Sequence, residues 1–164
     1  MSGQLALLVE QLDRVFAGKA WHGPSVLGAL RGVDAAAASW RPGPERHDIW
    51  ELVLHLAFWK HEVRKRLGED AGRFPRVGRN WPRPPERRTA AAWREDAALL
   101  RAEHAALVAW ARGLDEAALA EPVRRTTRGE TLFGIITHDA YHAGQIRLIR
   151  KLYERARGRK RARV

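Results

Sequence analysis

Cysteine is absent from the 164 residues. That gap excludes a disulfide framework, a thiolate zinc site, a cysteine nucleophile and an iron–sulfur cluster. Any metal must therefore be held by histidine or carboxylate. Long apolar runs are missing as well. The opening stretch MSGQLALLVEQLDRVF has no basic leader and spaces its apolar residues at helical intervals. Neither a secretion signal nor a membrane span is expected from it, which points to a cytoplasmic protein with no membrane partner. Apolar and polar residues nowhere alternate for more than a few positions, and no Asn-Gly or Asp-Gly pair occurs, so a sheet has little support. Acids are scarce at one end only. Residues 147–164 hold nine bases against the single acid Glu154, a local +8 out of a net +11, leaving +3 for the preceding 146 residues. This excludes a wholly basic domain and makes the charge a property of the C-terminal end. Tyrosine is rare, two residues against seven tryptophans. The tryptophans are scattered from Trp21 to Trp110, as core anchors are, and do not form one base-stacking platform.

What is present is helical periodicity. Leu5, Leu8, Leu12 and Val15 mark an amphipathic helix over about 4–17. After Trp21-His22-Gly23-Pro24, Pro24 fits the first turn of a short helix carrying Val26, Leu27 and Leu30. A second long helix is expected over 47–67, capped by Asp48 and nearly all apolar from Ile49 to Trp59 except at Glu51 and His55. Gly68 to Arg88 holds four prolines and six arginines without any period, so it reads as a long surface loop. Trp93, Ala97, Leu100, His104, Leu107 and Ala111 give a third helix over 89–112. A short Leu114–Leu119 segment and a polar turn at Arg124–Gly129 follow. Leu132, Ile135, His138, His142, Gln145 and Ile149 give a fourth helix over 130–155. The expectation is an all-α four-helix bundle with short accessory helices and one long Pro/Arg-rich loop, comprising a domain at 1–155 and a basic tail at 156–164.

His138 and His142 lie one turn apart on the face that also carries Ile135 and Ile149, so both imidazoles should point inward. Two neutral imidazoles at that spacing can chelate one divalent ion. Buried imidazoles otherwise need hydrogen-bond partners. His55, interrupting the apolar half of the second helix, is the natural third member. Singly, each histidine reads as a satisfied core residue; together on buried helices, they favour a metal site.

The strings His138-Asp139-Ala140-Tyr141-His142-Ala143-Gly144-Gln145 and Glu51-Leu52-Val53-Leu54-His55-Leu56-Ala57-Phe58-Trp59 resemble the DinB-like (DinB/YfiT) superfamily. The resemblance extends to Trp21-His22-Gly23-Pro24 and covers most of the chain. It implies a four-helix bundle holding a divalent metal through His55, His138 and His142. It also implies a metal-dependent activity on small molecules, of thiol S-transferase or hydrolase type. Three imidazoles leave open coordination positions, as in catalytic sites. Zinc or nickel is expected first, with iron, manganese or cobalt as alternatives. A low-molecular-weight thiol is the expected cosubstrate for thiol chemistry, since the protein has no sulfur nucleophile of its own.

Around the triad, His22 is expected at the mouth of a pocket. Gln145 either orients a ligand or bonds to backbone, and Asp139 either supports an imidazole or faces solvent. Gly144 implies close approach of a neighbouring helix or ligand, because glycine costs about 1 kcal/mol relative to alanine inside a helix. His104 reads as core, and His47 and His61 as solvated. Beyond a small-molecule substrate, a homodimer fits the sequence. The alternative is a non-catalytic bundle whose basic tail binds nucleic acid or another anionic surface.

Overall fold

The computed structural model describes residues 3–161; the last three residues of the basic tail lie outside them. Among the described residues the regular structure is helical apart from one ribbon of two two-residue strands. Helix α1 (Gln4–Phe16) buries Leu5, Leu8, Val9, Leu12, Val15 and Phe16 along one stripe. The Glu116 carboxylate caps it from far along the chain, accepting from Gln4 N (2.7 Å) and Leu5 N (3.1 Å), so a negative charge meets the positive end of the helix dipole. Helix α2 (Val26–Leu30) is capped by Ser25. Pro24 thus precedes the cap and is not in the first turn, because the Ser25 hydroxyl caps the helix by accepting from Gly28 N (3.2 Å). A one-turn helix α3 (Ala35–Ala38), with Asp34 as its cap, was not expected. Four alanines carry no periodic signal.

Helix α4 (Ile49–Arg66) starts at a capping box in which Asp48 accepts from Glu51 N and Glu51 accepts from Asp48 N. Helix α5 (Ala90–Arg112) starts at Thr89. A 3₁₀ turn follows at Ala117–Ala120, and the expected polar turn is a small antiparallel hairpin, β1 (Pro122–Val123) with β2 (Thr126–Thr127). Arg124, at φ 56°, makes the reversal. Helix α6 (Arg128–Arg161) extends beyond the expected 130–155 at both ends. At its start Thr127 and Glu130 exchange capping bonds. At its end arginine and lysine are good helix formers whose charge suits a C-terminus.

Helix α4 packs on α5 and α6, α1 packs on the same two, and α2 lies against α6. One apolar cluster gathers Trp50, Leu54, Trp93 and Leu100 with α2 and α3; the other joins α1 to Leu107, Leu132 and Ile135. Buried beside them, Lys60 of α4 pairs with Asp139 of α6 in full seclusion from solvent. The 68–88 segment has no helix or strand, as expected. It is nonetheless anchored: Phe74 is buried edge-on to Phe58, and Arg76 donates to Asp96 (2.8 Å), which also accepts from Trp50. No helix among the described residues is long and apolar enough to cross a membrane.

Candidate metal centre

Helix α4 contributes His55 from its buried middle, and α6 contributes His138 and His142 from successive turns. Their Nε2 atoms converge: His55 to His138 is 3.0 Å and His142 to His138 is 3.1 Å. All three ligand atoms fall within 4.8 Å of one another. The surroundings decide the tautomers. His55 Nδ1 donates to the backbone carbonyl of Asn80 (2.6 Å), and His142 Nδ1 donates to Gln145 Oε1 (2.6 Å). Each of these rings therefore turns an Nε2 lone pair toward the centre. His138 Nε2 has one hydrogen at most and could satisfy only one neighbour, while its own Nδ1 is buried without a partner among the described residues. Lone pairs facing lone pairs repel unless a cation lies between them. The donor set fits a divalent ion, whose imidazole bonds of about 2.0–2.1 Å are compatible with such separations.

Electrostatics point the same way. Burial first, with the neighbouring His142 and His47, lowers the pKa of His55 to about 4 against the Asn80 bond, which raises it. Burial, then His142, His55 and Lys60, bring His138 to about 3. Burial also lowers His142. All three are neutral at physiological pH, the form that ligates.

Beside His142 opens a cavity of about 690 Å³, walled by Leu52, Trp81, Tyr141, Leu148, Ile149 and Leu152. Arg46, Glu45 and His47 supply its polar groups. Trp81, from the long loop, stacks on His55 (3.9 Å between centroids) and on His47 (3.6 Å). Asn80 takes up φ 59°, a left-handed conformation that asparagine tolerates, and its side chain accepts from Trp59 Nε1 (2.8 Å) while its carbonyl holds His55.

The other expected residues divide. Gln145 orients His142 and itself donates to the Tyr141 hydroxyl (3.1 Å). Asp139 touches neither an imidazole nor solvent; it is bound to Lys60, because its position on α6 turns it into the core. His22 is exposed in the Ala20–Gly23 turn and does not line the cavity. His104 is core as expected, stacked on Phe16 at 3.7 Å. His61 is buried, not solvated, against Glu103, which Arg64 also binds. His47 is exposed yet lines the cavity. Asn80 and Trp81 carried no sequence signal for the site, since only the path of the loop brings them to it, and Tyr141 stood in the quoted string without a role of its own.

A family model described as DinB superfamily matches residues 20–146. No curated protein and no solved structure matches the chain.

Proposed function

The chain belongs to the DinB superfamily, and from that premise we propose that it is a divalent-metal-dependent enzyme acting on a small molecule, its four long helices forming the family's bundle. The observation that carries this reading is the convergence of three imidazole Nε2 atoms, two of them with their Nδ1 protons held elsewhere. His55, His138 and His142 would hold the ion. A zinc or nickel ion held there would supply Lewis acidity and would lower the pKa of a bound water or thiol. The protein's own groups do the rest. Asn80 and Gln145 keep two ligand rings turned to the centre, and Trp81 covers the face of His55. The apolar cavity wall excludes water around a substrate body, with Arg46 and Glu45 as polar contacts. Because the chain has no cysteine, thiol transfer draws its sulfur nucleophile from a low-molecular-weight thiol; hydrolysis is the other reaction the site suits. The near-neutral helical body accords with such chemistry.

Elemental analysis of untagged protein, prepared without added metal and then titrated with zinc or nickel, is the first test. One ion per chain is expected for wild type and none for His138→Ala; a wild type that takes up neither ion overturns the site. Turnover of chlorodinitrobenzene or monobromobimane with several thiols, and of esters and amides, tests the reaction. Equal rates for wild type and the triple alanine variant in every assay overturn the catalytic claim.

A further inference from the structure

Helix α6 leaves one face uncovered. Phe133, Tyr141 and Leu148 are 60%, 64% and 60% exposed, and Leu152 is 36% exposed. With Thr137 and Gly144 these residues fall within about 100° of the helix circumference. Two of the four glycines within the helix, Gly134 and Gly144, add a second observation. A Cβ at Gly134 or Gly144 would meet nothing within 4 Å, so no packing inside the chain accounts for glycine at either position. Each still costs about 1 kcal/mol of helix stability relative to alanine. A close approach from outside the molecule would account for both.

We propose that this face is a homodimer interface in which α6 packs antiparallel against α6 of a second copy, about a two-fold axis near Ala140 and Tyr141. Charge chooses the occupant and the direction. The N-terminal end of the stripe carries Glu130, and the C-terminal end carries Arg147, Lys151 and Arg155. A parallel pair would stack bases on bases, whereas the antiparallel pair sets Glu130 against the second copy's Lys151. The same register opposes Phe133 to Leu148 and Thr137 to Gly144, a large apolar pair and a small close one, each made twice by the symmetry. Leu148, Tyr141 and Leu152 also wall the cavity beside His142. Phe133 of the second copy therefore covers the mouth of that cavity, and each site is completed by the other chain. This last consequence rests on the proposed metal site; the interface itself does not.

Sedimentation equilibrium of the full-length protein tests the interface. Wild type is expected at twice the chain mass of 18.6 kDa. Phe133→Lys or Leu148→Glu alone should weaken association roughly tenfold or more. The double variant Phe133→Lys with Leu148→Glu should recover dimer, because the introduced charges then oppose each other. Gly144→Leu, which has room in the single chain, should remain folded by circular dichroism and yet lose dimer. A monomeric wild type, a dimer indifferent to both single changes, or a double variant no better than the singles overturns the proposal. Metal content measured on the same samples separates the two readings, since failure to bind metal leaves the mass result intact.

Discussion

At the scale of single residues, the site depends on where protons are held. Gln145 is the acceptor that fixes the His142 ring. Gln145→Leu should weaken metal affinity by about 10–100-fold with little change in melting temperature, as read by chelator competition. His104 provides a test without metal. Its Nε2 lies 3.4 Å from the partly exposed Asp13 carboxylate, but burial outweighs that attraction and, with the charge of Lys60, lowers its pKa from 6.5 to about 3. The unfolded chain therefore takes up a proton near pH 6.5 that the folded chain refuses until about pH 3. Stability should fall as pH drops through this window and level off above it, with a slope approaching about 1.4 kcal/mol per pH unit for each such group. Urea titrations of His104→Phe, which keeps a ring against Phe16, should show a shallower dependence than wild type.

At the scale of elements, the long loop is the least regular part of the chain and supplies much of the support for the centre. Asn80 acts through both its carbonyl and its backbone conformation. Asn80→Gly and Asn80→Ala both lose the Trp59 bond, but only alanine is strained at φ 59°. The alanine variant should be less stable than the glycine variant by roughly 1–2 kcal/mol, measured by denaturant unfolding. Helices α4 and α6 are joined by the buried Lys60–Asp139 pair next to His138. Lys60→Met, which strands a buried carboxylate, should destabilise by about 3–5 kcal/mol, and much of that loss should be recovered in the Lys60→Met, Asp139→Leu double variant. A double variant as unstable as the single one would show that the pair has a role beyond mutual neutralisation.

At the scale of the whole molecule, the charge sits at one end of α6. Arg157 donates to the Tyr153 hydroxyl of its own helix (3.4 Å), and Arg150 reaches back to the carbonyls of Ala29 and Arg31. Deleting residues 156–164 should leave metal content unchanged and shift the melting temperature by no more than about 4 °C. Arg150→Ala, which uncovers the end of α2, should cost more stability than that deletion. A salt-sensitive gel shift present in the full chain and lost in the deletion would assign the tail an anionic partner.

The positions of the four long helices, the Asp48 cap, the loop and the triad His55, His138 and His142 were legible in the sequence. Periodicity, capping chemistry and i, i+4 spacing are local, and an imidazole in an apolar stripe stands out. The one-turn α3 escaped because alanine carries no period, and the hairpin escaped because its reversal uses Arg124 and not a glycine pair. Asp139 and His61 were misplaced for a different reason. Whether a charged side chain meets solvent or a buried partner depends on Lys60, Glu103 and Arg64 arriving from elsewhere in the chain. The pairing of Asn80 with His55, the stacking of Trp81 and the exclusion of His22 from the cavity are likewise long-range facts. Residue types and local spacing determined which groups could ligate; tertiary packing alone decided which of their nitrogens face one another and what holds them there.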